Sequence, residues 1–377
     1  MTRPATSASP TGSTDFDCAV EAVPWVAYAQ PFAGREHGIG ARSECCLARY
    51  RKDLQPGESF TATFKMPRVP SADAAFNARV LGADYGKYRQ AVVAYWTNLF
   101  RNTPVIELPE KRFQDAYRAS LVHLLLATRS NSAGKRWQTD GIPYPDFFLT
   151  SVPEMAMMYL ASGLPEFATD LLVPGAIAQQ QPDGLYFDRA VAWGHIIPAT
   201  QGHILYSIAQ TVLLTQDKAF AEKVYPSLQK GVGFIEKSVK EDKYGLLPPC
   251  WPYDAEMIDG HYTGQNMFAL MGLRHAVRVA RFLGRTEDAA AWTNLADRYE
   301  TNILKGVAAS AKPDGYIPTG LYEYTIGKAS SRPNWEDYMY DADWENMILA
   351  WPTELLAPSD PRVKSTLTRV RKDYAEG

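Results

Sequence analysis

The stretch richest in reactive side chains runs from Leu246 to Asn266. It gathers Asp254, Glu256 and Asp259 with Trp251, Tyr253, His261 and Tyr262. Carboxyl groups among rings can do acid–base work, because apolar surroundings or a neighbouring carboxylate keep one of them protonated near neutral pH. Asp254 has both devices within reach: Trp251, Pro252 and Tyr253 precede it, and Glu256 follows two residues later. Asp254 is therefore the preferred general acid and Glu256 the reserve. Rings that can stack on sugar faces, beside polar groups that can fix hydroxyls, suit the rim of a carbohydrate site. The competing reading is that these acids simply sit at a helix start, where the helix dipole favours negative charge.

Further candidates lie in other connecting segments. Asp146 and Glu154 fall within Tyr144-Pro-Asp-Phe-Phe-Leu-Thr-Ser-Val-Pro-Glu154, Trp193 and His195 lie further on, and Asp343-Trp344-Glu345-Asn346 comes late in the chain. Glu154 also has a structural reading: Ser151-Val-Pro-Glu154 has the form of a capping box. Trp137 and Trp335 add rings to the same set of connections. No His/Cys cluster has metal-ligand spacing, and no Ser-His-Asp elbow or phosphate-cradling Gly loop occurs. No cofactor and no metal are expected.

These residues must be positioned by helices. Apolar residues recur at helical spacing over about 110–129, 151–162, 165–181, 199–215, 217–240, 262–283, 287–308, 342–356 and 360–375, after one helix running from Asp84 to before Pro104. Upstream, segments 19–28, 45–50 and 59–65 are β-branched or aromatic and partly alternating, as strands are. The helices repeat. Gly163-Leu-Pro-Glu-Phe-Ala168 and Gly284-Arg-Thr-Glu-Asp-Ala289 are copies of one turn, with Gln216-Asp-Lys-Ala-Phe-Ala221 a looser third. A second motif follows the later helix of each pair: Pro182-Asp-Gly-Leu-Tyr186, Asp242-Lys-Tyr-Gly-Leu246 and Pro313-Asp-Gly-Tyr316. Tight turns on one side and long, aromatic-rich connections on the other describe an array of helical hairpins with one functional face.

The organisation expected is a leader over 1–15 that reads as disordered or as the interior of a longer protein. A β segment follows over 16–72, like the end of a β-sandwich, then a linker helix over 73–109 and a mainly α toroid over 110–377. Six hairpins at this spacing need roughly 360 residues, so about four and a half are expected here. The net charge of -3 and the scattered Lys and Arg argue against a nucleic-acid partner. No apolar run is long enough to span a membrane, no secretory signal is visible at the N terminus, and four cysteines make no disulfide framework. Compartment and oligomeric state stay open.

On the hairpin pattern and three of these segments, residues 84–377 resemble the six-hairpin, (α/α)6-barrel glycosidase superfamily of glucoamylases, trehalases, α-L-rhamnosidases and glucosidases. Tyr144 to Met155 is similar to the segment before the second barrel helix, where an aromatic and an acid hold the sugar; the basic residue that often precedes that acid is replaced by Pro153. Tyr253-Asp254-Ala-Glu256 lies before the sixth barrel helix, where the superfamily places its general acid. Asp343-Trp344-Glu345-Asn346 opens the eighth. The resemblance implies glycoside hydrolysis by an inverting acid/base pair. Asp146, Glu154, Trp193, His195, Trp251, Tyr253, Asp259, His261, Tyr262, Trp344 and Glu345 are then expected to contact a carbohydrate, with the base late in the barrel, beyond Gly377. A non-catalytic carbohydrate-binding or scaffold toroid is the alternative, and a toroid lyase or epimerase using His195 and His261 a third.

Overall fold

The computed structural model describes residues 17–24, 44–51, 53–59, 61, 65, 72–101, 103–130, 136–139, 147–187, 199–249, 258–326 and 346–376. The chain divides into two units, Met1–Ala94 and Tyr95–Gly377. In the first, β1 (Asp17–Pro24) and β2 (Glu44–Arg51) pair antiparallel, Asp17 opposite Arg51. Most of the strand expected at 59–65 lies outside the described residues. The expected single linker helix is two helices, α1 (Ala74–Gly82) and α2 (Tyr85–Phe100). Asp73 caps the first, its carboxylate accepting from Ala75 and Phe76 N–H. Asp84 restarts the second by accepting from Lys87 N–H at 2.7 Å. A short acidic side chain takes N–H groups that have no partner within the helix, so each Asp marks a start.

In the second unit the last turn of α2 places Trp96, Leu99 and Phe100 against Leu121 and Leu125 of α3 (Lys111–Leu126). Two short strands, β3 (Thr128–Ser130) and β4 (Arg136–Gln138), follow. The hairpin series is α4 (Val152–Ala161), α5 (Pro165–Leu171), α6 (Ala199–Thr215), α7 (Lys218–Glu241), α8 (Thr263–Phe282), α9 (Thr286–Ser310) and α10 (Pro361–Glu376). Helix α4 packs on α6, α6 on α8, and α8 on a single 3-10 turn, Asn346–Leu349. These form an inner layer. Helices α5, α7, α9 and α10 each pack behind a member of it. The layered hairpin pattern expected from the repeat is therefore present. The chain is mainly α, with one further small sheet of β5 (Ile258–Tyr262) and β6 (Gly320–Ile326).

Two expected helices differ. The one expected over 165–181 ends as α5 at Leu171 and continues as a π turn, Leu172–Ala176, and a 3-10 turn, Ile177–Gln179. Pro174 supplies no N–H and its ring crowds the carbonyl one turn back, so the helix widens there. The helix expected over 342–356 is, among the described residues, only the turn Asn346–Leu349. Pro352 again bars a regular continuation, and the Ile348 carbonyl instead accepts from the backbone and hydroxyl of Thr353.

The inner layer is unusually close at α6 and α8. A methyl group placed on Gly202 would lie 2.2 Å from the Ala269 nitrogen, and one on Gly272 would lie 3.0 Å from the Gly202 carbonyl oxygen. The backbones touch, which only glycine permits. The tight hairpin turns use Gly163, Gln216 and Gly284, all with positive φ (69°, 55° and 71°), the left-handed conformation that ends a helix in one residue.

Candidate functional site

The Asp-Gly motifs identified in the sequence build three copies of one joint between the layers. In each, an Asp carboxylate accepts from the N–H two residues on: Asp183 from Leu185, Asp242 from Tyr244, and Asp314 from Tyr316. This is the Asx turn, in which a side chain stands in for a backbone acceptor. The residue two beyond the turn glycine is then tied to the entry of the next inner-layer element. Tyr186 N–H donates to Gln201 of α6 at 2.9 Å, Leu247 N–H donates to Asn266 of α8 at 3.1 Å, and the Ile317 carbonyl accepts from Asn346 at 2.8 Å. The outer layer closes each joint. Gly231 accepts from Gln201, Tyr299 donates to Asn266 at 2.6 Å, and Thr366 accepts from Ile317 N–H. Gln201, Asn266 and Asn346 are all buried; the amides of Gln201 and Asn266 bond through both oxygen and nitrogen, and a buried amide so satisfied is a rigid fixture.

The middle joint carries the segment with the preferred acid. Its entry is fixed by the Leu247–Asn266 bond and by Gln265, which donates to the Pro248 carbonyl at 3.1 Å. Its exit is β5, paired antiparallel with β6 from Ile258 opposite Ile326 to Tyr262 opposite Gly320. The register slips between Gly260 and His261, so Tyr322 and Glu323 of β6 form a bulge. Tyr322 sits there with φ 60°. A bulky residue in this region is strained, and packing holds it. Its ring stacks on Tyr244 with centroids 3.8 Å apart and planes 5° off parallel. Glu323 pairs with Lys243 at 2.9 Å; this bond and the ammonium charge hold the exposed Glu323 carboxyl below the usual carboxylate range.

Behind the stack an imidazole meets a carboxylate. His261 Nε2 is 2.8 Å from Asp242 Oδ2, with side-chain exposures of 4% and 10%. Asp242 Oδ1 also accepts from Tyr244 and Leu246 N–H, so the carboxylate bonds on both oxygens. Asp242 caps the end of α7 and His261 lies in β5. The pair thus ties the two ends of the connection before α8 to each other.

The placement of the predicted site residues follows. His261 is 3% exposed and Tyr262 1% exposed, so both side chains are spent on packing and on the Asp242 pair rather than displayed to solvent. Asp259 lies on β5 opposite Thr325 by its backbone. Glu154 is exposed in the first turn of α4, whose N-cap, Ser151, makes no side-chain capping bond. The capping-box expectation fails because Ser151 is already helical (φ -85°, ψ -4°), carried in by the 3-10 turn Leu149–Ser151. Asp146, Trp193, His195, Trp251, Tyr253, Asp254, Glu256, Trp335, Trp344 and Glu345 lie outside the described residues, as does the Trp137 side chain. Asp242 and Tyr244 stood in the sequence only as members of a connection motif, and Gln201 and Asn266 were given no role. Aligning the three Asp-Gly motifs with the polar residue that opens each inner-layer element would have found them.

Two buried histidines differ in kind. His203 in α6 lies edge-on to Phe268 at 3.7 Å, and burial pushes its pKa down to about 3, so the ring is neutral. His261 faces a carboxylate. Among the described residues no group of His, Cys, Asp and Glu could hold a metal ion.

No protein-family model matches the chain, and no curated protein matches it in sequence. Solved structures similar to it include glycosidases. A rhamnosidase from Klebsiella oxytoca with rhamnose bound has 11% identity over 72% of this chain and 49% of that one, with a TM-score of 0.49. A glycosidase in complex with glucose has 14% identity over 71% of this chain and 72% of that one, at 0.45. A GH78 family rhamnosidase of Bacillus sp. GL1 has 18% identity over 62% and 27%, at 0.39. The chain thus spans about half the length of the first of these.

Proposed function

We propose that this chain is a glycoside hydrolase of the six-hairpin type, acting on an oligosaccharide or glycoside. The observation that carries the reading is where the acid- and ring-bearing segments fall in the layered array. Residues 140–146, 188–198, 250–257 and 327–345 each come just before an inner-layer element, while turns of two or three residues join α4 to α5, α6 to α7 and α8 to α9. Tight turns on one side reverse the chain each time. The inner helices therefore run the same way, and each inner-layer element is preceded in the chain by one of the four segments.

On this reading Asp254 donates a proton to the leaving glycosidic oxygen, with Glu256 as the reserve acid. Asp146, Glu154 and the rings of Trp193, His195, Trp251, Tyr253 and Trp344 hold the sugar, with Asp259 and Glu345 on its hydroxyls. An inverting reaction also needs a second carboxylate activating water on the opposite ring face. The packing of His261 and Tyr262 makes them supports of the site rather than sugar contacts.

A non-catalytic carbohydrate-binding toroid is the second reading, and the same experiment separates the two. Purified protein is offered a panel of oligosaccharides and aryl glycosides. Hydrolysis that Asp254→Asn lowers by about 10² or more, with unchanged circular dichroism, supports the enzyme. Saturable binding with no sugar released by either protein supports the binding toroid. Turnover unaffected by the substitution removes Asp254 from the role of acid.

A further inference from the structure

We infer a second ligand site in the recess between the end of α2 and α3, built for a small organic oxyanion: a carboxylate or phosphate ester carried on a ring or apolar body. The recess encloses about 300 Å³ and is lined by Phe100, Arg101, Gln114, Tyr117, Arg118 and Leu121 among others, with no Asp or Glu in its wall. That volume is at the small end of the range for ligand pockets, and an apolar floor with a few convergent polar groups is their usual make-up.

Two exposed guanidiniums open on the recess. The Arg118 side chain meets no carboxylate among the described residues, and the Arg101 guanidinium donates to the neutral amide oxygen of Asn98 at 2.9 Å. Three other guanidiniums of this unit do face carboxylates: Arg274 meets Glu300, Arg285 meets Glu222 and Arg362 meets Asp360. Asp115, close by in sequence, is taken by Lys111. Arg101 follows the C-terminal end of α2, where a cation is favoured by the helix dipole. That does not account for Arg118, which stands in the middle of α3 and opens on the same recess.

The walls are pre-formed. Phe100 stacks on Trp96 with centroids 5.7 Å apart and planes 17° off parallel. Tyr117 is pinned through its hydroxyl to Ser162 at 3.1 Å, and Leu121 is fully buried. A planar guanidinium presents parallel N–H donors that match the two oxygens of a carboxylate or phosphate. Fixed rings beside two such forks accept a flat or apolar body while the oxyanion meets the charges.

The test uses benzoate, phenyl phosphate and inorganic phosphate as probes, titrated into the full chain by calorimetry at low ionic strength. Arg101→Leu/Arg118→Leu and Arg118→Leu serve as site variants, and Lys305→Ala, on α9, as the control. Saturable binding of benzoate or phenyl phosphate is expected. Arg118→Leu should weaken it at least about tenfold, as loss of a charge-assisted bond does; the double variant should abolish it and the control should leave it unchanged. The tighter of the two organic probes identifies carboxylate or phosphate as the ligand's headgroup. Should Arg118→Leu unfold the protein, Arg118→Lys keeps the charge but loses the fork, and intermediate weakening is expected. Three results would overturn the inference: no saturable binding, equal binding by the double variant, or inorganic phosphate binding as tightly as phenyl phosphate.

Discussion

Replacing Asp242 by Ala should cost this protein far more stability than the same change in the two equivalent turns. Asp242 Oδ1 accepts from two backbone N–H groups and Oδ2 meets His261 at 2.8 Å, with both side chains nearly excluded from water. A net hydrogen bond is worth about 1 kcal/mol and one to a charged group about 1.5–3 kcal/mol. Removing the carboxylate takes the acceptor from two backbone N–H groups and leaves the buried His261 nitrogen unpaired, which adds about 1–3 kcal/mol. The expected loss for Asp242→Ala is therefore about 3–5 kcal/mol. Asp183→Ala and Asp314→Ala, which each remove one Asx-turn bond, should cost about 1 kcal/mol, because both carboxylates are exposed to water and their charge is screened. Urea unfolding followed by circular dichroism measures all three, read as midpoint shifts at constant slope. His261→Gln completes a cycle with Asp242→Ala, and the coupling energy isolates the pair. Equal losses for the three Asp variants, or a coupling below about 0.5 kcal/mol, would show that the pair does not hold this joint.

Gly202→Ala should destabilise by about 3 kcal/mol in the same assay, the upper end for overpacking, because the new methyl meets backbone at 2.2 Å rather than a movable side chain; a loss under about 1 kcal/mol would contradict the close approach of α6 and α8. The His203 ring, with its pKa pushed down by burial to about 3, should show no imidazole titration by NMR between pH 7.5 and 4.5. A group depressed in the folded state contributes stability above its unfolded pKa and loses it as pH falls toward the folded one, so His203→Phe should flatten the acid limb of the stability curve below about pH 6.5. Burial raises the phenols of Tyr186, Tyr225 and Tyr299, with Asp288 adding to Tyr225. Groups raised in the folded state lose stability as pH climbs past the unfolded value of about 10, so phenolate absorbance from them should appear only together with unfolding. Tyr225→Phe, which removes a 2.6 Å bond to the Asp288 carboxylate, should cost about 1.5–3 kcal/mol and shift that alkaline limb upward.

The helices and their order were legible in the chain itself. Apolar spacing marks α6, α7, α8 and α9 within a few residues, and Gly163, Gln216 and Gly284 mark the turns, because period and helix termination are local properties of a segment. Pro174 and Pro352 were as visible as any other residue. Their effect, a π turn in one case and a lone 3-10 turn in the other, depended on which neighbouring carbonyls found new donors.

What only the tertiary structure decided is which polar residues are used up inside. His261 in a loop of acids and rings has the composition of a site residue, and nothing in its own neighbourhood identifies Asp242, 19 positions earlier, as its partner. Strands β5 and β6 are separated by the whole of α8 and α9, so neither could be recognised before its partner was placed, and the bulge that sets Tyr322 on Tyr244 exists only once they pair. Residue type determines what a side chain can do; burial and long-range pairing determine whether it remains available to do it.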